Sequence, residues 1–164
     1  MSGGNNTPAT PLINTLVTMY VNTAIDPLTE ANIKDNVWFA DTNGDITDDN
    51  DNQGNVSNYT TMVTGQGNIT WVGAVQDIRN NPNDYVLITD VVIKPGNPGK
   101  ISISKEPSPS QGIGNNTHVS GRVTGNHNLT PFGYTIKFTV GRVDSSGNRT
   151  TSNELNIDPR IQIN

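Results

Sequence analysis

The chain has 164 residues, 32% of them hydrophobic and only 15% charged, with a formal net charge of −5 and no cysteine. That length suits one domain, and the missing cysteines exclude disulfides, thiolate metal sites and cysteine catalysis. The acidic balance, with ten scattered basic residues, argues against nucleic acid and anionic membranes as partners, because both need clustered Lys and Arg.

The low hydrophobic content fits either disorder or an all-β chain of short strands and many turns. Disorder normally brings high net charge and few β-branched residues, whereas Val, Ile and Thr are common here. An all-β fold is the better fit. No apolar run approaches the 18 residues of a membrane-spanning helix, and Met1 to Pro8 lacks the charged and apolar regions of a signal peptide. The expected location is therefore the cytoplasm, or the exterior by a route without a classical signal.

Residues 1–11 are rich in Gly, Asn, Thr and Pro and are expected to form a flexible arm, with one domain over 12–164. From Leu12 a period of two begins: Leu16, Thr18 and Tyr20 alternate with Val17, Met19 and Val21. Pro27 ends this strand, and Thr29–Lys34 reads as a helical turn capped by Thr29. A short apolar strand, Asn36–Ala40, leads into an acidic loop. Strands follow at Tyr59–Val63, Asn68–Val75 and Tyr85–Lys94, the last being the most apolar and expected centrally in a sheet. Further strands are expected at Ile101–Ser104, Val119–Thr124, Gly133–Val143, Glu154–Ile157 and Ile161–Ile163. The prolines of Glu106–Gly112 mark an irregular stretch, and Asp144–Asn148 a hairpin turn. About eight to ten short strands with turns roughly every ten residues predict a single antiparallel β-sandwich, jelly-roll-like. Trp38, Trp71, Val86, Ile88, Val92, Ile136, Phe138 and Ile157 are its expected core.

The densest group of oxygen ligands is the loop Asp41–Asp51. Asp41, Asn43, Asp45, Asp48, Asp49 and Asp51 are the candidate metal ligands, and calcium is the cofactor they would suit, since hard cations take six to eight oxygens. The loop departs from the EF-hand pattern: its glycine is Gly44, and Asn52 stands where the bidentate Glu belongs. A solvated Asp/Asn-rich turn is the competing reading.

Catalytic signals are weak. His118 and His127 lack the spacing or partners of a zinc site. There is no Gly-x-Ser-x-Gly, and His118-Val119-Ser120 on one strand is not a triad. No enzyme is expected, and the catalytic set is empty. A sugar-binding role would stack a ring on an aromatic, and Tyr59, Tyr85, Phe132 and Tyr134 are the candidates to reach the surface; the competing reading places the four Tyr and two Trp residues in the core.

Three stretches carry a resemblance: Asp35-Asn36-Val37-Trp38-Phe39-Ala40-Asp41-Thr42-Asn43, Gly67-Asn68-Ile69-Thr70-Trp71, and Ile157-Asp158-Pro159-Arg160-Ile161-Gln162-Ile163. Their order and spacing resemble the inclusion-body protein family of PixA and AidA from proteobacteria, over about residues 13–163. The resemblance implies a small β-rich, non-enzymatic protein of host-associated bacteria that self-associates, in some members into crystalline inclusions. Trp38, Trp71 and Asp158-Pro159 match as structural positions. Two functions are carried forward: a self-associating inclusion-body-type homo-oligomer, and a lectin-like glycan-binding module, calcium-dependent through the acidic loop.

Overall fold

A computed structural model of the chain describes residues 14–44, 56, 59–95, 101–104, 108–109, 117–125 and 130–163. Twelve strands are found among them: β1 (Thr15–Val21), β2 (Val37–Asp41), β3 (Thr60–Val63), β4 (Asn68–Val75), β5 (Tyr85–Ile93), β6 (Ile101–Ile103), β7 (Ser108–Pro109), β8 (Thr117–Val123), β9 (Phe132–Val143), β10 (Arg149–Thr151), β11 (Leu155–Ile157) and β12 (Arg160–Ile163). They form two six-stranded sheets. The first runs β2-β1-β4-β8-β6, with β7 also on β8. In the second, the twelve-residue β9 is the spine. β5 takes one side of it, and β12, β11 and β10 follow one another along the other, with β3 outside β12.

The sandwich expectation holds, but the sheets are mixed. β1 lies parallel to β4, and β12 parallel to β3. Parallel neighbours need a long crossover, which the intervening chain supplies in both cases. Strand β5 is also not central, since its one strand partner among the described residues is β9. Its apolar run serves face packing instead: Val86, Ile88 and Val91 are buried against the opposite sheet.

Alternation sets which side chains meet in the middle. Val17, Met19 and Val21 of β1, Ile69 and Trp71 of β4, and Tyr134, Ile136, Phe138 and Val140 of β9 are all fully buried. Two expected core residues fall outside this interior. Val37 and Phe39 turn inward on β2, so Trp38 between them faces out and is half-buried. Val92 is 39% exposed because the β5–β9 register shifts between Ile88 and Asp90. One extra residue at a bulge moves every later side chain to the other face.

The turn before β2 is a single 3-10 turn, Ile33–Asp35, rather than a helix capped by Thr29. Asn32 organises it: its Oδ1 accepts from Thr29 N (2.8 Å) and its Nδ2 donates to the Pro27 carbonyl (3.1 Å). Ile33 is thereby plugged into the core. Arg142 of β9 ties this crossover down, donating to the Thr23 and Ile25 carbonyls. The hairpin at Asp144 is as expected, with Gly147 at φ 81° and the Asp144 carboxylate accepting from Ser146 N and Asn148 N. The expected arm, residues 1–11, lies outside the described residues.

Candidate functional site

Of the six loop residues with metal-ligand chemistry, Asp41 and Asn43 are described; Asp45, Asp48, Asp49 and Asp51 lie outside the described residues. Asp41 ends β2 with its side chain on the inward parity of Val37 and Phe39. Its Oδ2 accepts from Tyr59 Oη (2.9 Å) and from Thr61 Oγ1, and its Oδ1 from Asn43 N (2.9 Å). Asn43 Nδ2 in turn donates to the Met62 carbonyl at 2.6 Å. Both side chains therefore hold the end of the first sheet against β3. Asp41 has a carboxylate's four lone-pair positions, and three already receive protein donors. Among the described residues no three His, Cys, Asp or Glu side chains gather to hold a metal.

Behind Asp41 lies a buried phenol cluster. Phe39 and Tyr59 stack at 4.9 Å, and the Trp71 indole tilts against Tyr134 at 5.5 Å. Among the described residues Trp71 Nε1 and Tyr134 Oη are both buried and make no hydrogen bond of normal geometry, each having the other as its polar neighbour. Burial pushes the Tyr134 hydroxyl well above its ordinary value; the nearby indole N–H opposes this only in part. Burial, then the neighbouring Tyr134 and Asp41, push Tyr59 up in the same way. Both phenols are thus held protonated, which is what lets Tyr59 donate to Asp41. A pKa raised in the fold contributes stability that is complete below the unfolded value of 10.0 and is lost as pH rises past it. Alkaline titration by circular dichroism is expected to show unfolding above about pH 10. Tyr59→Phe should unfold at higher pH than the parent, relative to its own neutral stability.

For the four aromatics that a sugar site would need at the surface, the core reading is the one that holds. Tyr59 is 4% exposed, and Tyr85, Phe132 and Tyr134 are buried with it. The sugar-stacking role assigned to them is therefore overturned. The aromatics that do face outward are Tyr20 and Trp38, which stand directly opposite each other on β1 and β2. Tyr20 also sits beside Ala74 of β4, and Thr18 beside Val72. Leu16 (40% exposed) and Ala40 extend this apolar area, with Val72 and Ala74 buried among their neighbours. The signal was present in the sequence as the even-numbered half of the β1 alternation.

Strand alternation gives the rest of this outer face: Asn68 and Thr70 from β4, Ser102 from β6, and His118, Ser120 and Arg122 from β8. His118 is half-buried there, and His127 lies outside the described residues. None of the outward positions of β1, β2, β4, β6 and β8 carries a carboxylate. The outer face of the second sheet is the opposite. Lys94 pairs with Asp158 at 2.9 Å, Glu154 accepts from Thr89, and Glu30 accepts from Asn156 N. Burial works against the Asp158 charge, but Thr135 and Lys94 outweigh it and hold the carboxyl below its ordinary value. The second sheet's outer face sets these charges beside the exposed Met62 and Val92, whereas the outward strand positions of the first carry no carboxylate, one cation, Arg122, and the paired Tyr20 and Trp38.

No family model matches the chain, and no curated protein matches it in sequence. Among solved structures, the inclusion body protein PixA from Burkholderia cenocepacia J2315 matches with a TM-score of 0.63, covering 96% of this chain and 99% of that one at 8% identity. At that identity the likeness is one of fold, and it extends the resemblance carried by the Asp35, Gly67 and Ile157 stretches to nearly the whole length of both chains. This chain has the fold of an inclusion body protein.

Proposed function

We propose that this chain is a non-enzymatic, self-associating protein of inclusion-body type, and that copies meet through the Leu16, Tyr20, Trp38 and Ala40 area of the first sheet. The observation that carries this reading is the contrast between the two outer faces. An acidic protein keeps copies apart by charge repulsion, so association is favoured where carboxylates are absent and apolar area is exposed. The fold shared with an inclusion body protein supports the same reading. Such assemblies would store the protein in the cytoplasm of a bacterium, and host association follows from the resemblance.

The test is light scattering across concentration, with Tyr20→Lys/Trp38→Lys as the comparison. The parent is expected to form large, ordered assemblies. The double variant should need at least about tenfold more protein to reach the same size, the effect of about 1.4 kcal/mol at the contact. Its melting temperature should stay close to the parent's, because both side chains face outward. A parent that stays monomeric at high concentration, or a variant that assembles undiminished, would overturn the proposal.

A further inference from the structure

Beyond the aromatic area the same face dips into a shallow groove of about 500 Å³, lined by Asn14, Asn68, Thr70, Ser102, Ser120 and Arg122 among others. Two rows of the sheet build it. Asn68, Arg122 and Ser102 stand side by side on β4, β8 and β6, and Thr70 and Ser120 form the next row. Adjacent strands lie about 4.8 Å apart, so the first row spans about 10 Å. Thr70 is four residues from Ala74 on β4, which places the groove about 14 Å along the strands from Tyr20.

The groove is chemically distinct from its surroundings. Asn68 Nδ2 donates to Asn14 Oδ1 at 3.2 Å, and the Thr70 and Ser120 hydroxyls lie 3.3 Å apart. These neutral pairs fix one another's orientation and leave further donors and acceptors facing the groove. The Arg122 guanidinium makes no hydrogen bond or ion pair among the described residues. Among the described outward positions of this sheet it is the single formal charge, and none of them carries a carboxylate.

We infer that this groove binds an acidic saccharide: Asn68, Thr70, Ser102 and Ser120 meet the sugar hydroxyls and Arg122 takes the carboxylate. Amides and hydroxyls both donate and accept, as vicinal sugar hydroxyls do. A guanidinium fork fits a carboxylate in a bidentate pair, and no acidic side chain at the described outward strand positions repels the ligand. A nucleic acid or an anionic membrane would need a cluster of cations rather than one. The span of the first row is that of a disaccharide.

The experiment is calorimetry and ligand-observed NMR on the full chain, with sialyllactose, lactose and inorganic phosphate into the tens of millimolar. Sialyllactose is expected to bind, with saturation transfer to both the acidic and the neutral rings. Lactose should bind about tenfold more weakly, for want of the charge-assisted pair. Arg122→Gln should remove the preference for the acidic sugar while leaving lactose binding in place, and Thr70→Val/Ser120→Ala should weaken both sugars. Phosphate that competes as well as sialyllactose would reduce the groove to a simple anion site and overturn the inference. No binding of sialyllactose, or no change in Arg122→Gln, would overturn it equally. The groove borders the association area at Leu16, which stands beside Thr70, so the titrations are run below the concentration at which light scattering shows assembly, and either result then stands without the other.

Discussion

Gly73→Ala is expected to destabilise the protein by about 1–3 kcal/mol, as overpacking of a closed core does. A Cβ at Gly73 would lie 2.6 Å from Val86 Cγ1, 2.8 Å from Val86 Cβ and 3.1 Å from the Val86 carbonyl. Gly73 belongs to β4 and Val86 to β5, so the added methyl falls between the two sheets where they approach most tightly. Gly141 offers the contrast. There the obstacle is the tip of the Tyr85 ring, 2.1 Å from the added atom, which can turn about the side-chain torsions, whereas the Val86 Cβ and carbonyl are fixed to their strand. Gly73→Ala should therefore lower the melting temperature by about 3–10 °C for a chain of this size. Adding Val86→Ala to it should restore part of that loss by vacating the contact. A Gly73→Ala variant melting with the parent would show that the sheets separate freely there.

The second large effect is expected at Asp41. Asp41→Ala leaves the Tyr59 and Thr61 hydroxyls without their shared acceptor, and a buried unsatisfied group costs about 1–3 kcal/mol. With two such groups, a loss of about 3 kcal/mol is expected in urea unfolding. The diagnostic variant is the triple replacement, Asp41→Ala with Tyr59→Phe and Thr61→Val. Removing the donors along with the acceptor should return more than half of the lost stability. If the triple variant is no better than the single one, the carboxylate holds the corner by some means other than these two hydroxyls.

Both sites show where the sequence was readable. Asn68–Val75 has the bounds expected of it, because the Gly65-Gln66-Gly67 turn precedes it and Ile69, Trp71, Gly73 and Val75 keep a period of two, although Val72 and Ala74 between the last of them are apolar and buried too. Gly73 was visible as an inward position, but not that Val86 would press on it, since that contact joins different sheets. Parity was unreadable in Val37-Trp38-Phe39-Ala40: all four are apolar, so nothing local says which pair turns inward. Reading Trp38 as a structural, inward position hid the outward aromatic pair. Val92 failed for a different reason, a bulge at Thr89 that shifts register without a glycine to mark it. The parallel pairings β1–β4 and β12–β3 join residues far apart in the chain, and short-range pattern carries no trace of them. Of the acidic loop, the sequence showed the density of oxygens but not that Asp41 would spend its own on Tyr59 and Thr61.

The parallel pairing of β12 with β3 also fixes an order of events during synthesis. Thr60 is paired with Arg160, and β12 is the one strand partner of β3 among the described residues. A ribosome adds about 5–20 residues per second, so β3 waits on the order of ten seconds before its neighbour exists. Through that interval its edge is open to any other nascent chain that already carries a finished β12, and unpaired edges are what misassembly uses. In a cell making much of this protein, the emergence of β12 decides whether each copy closes on itself.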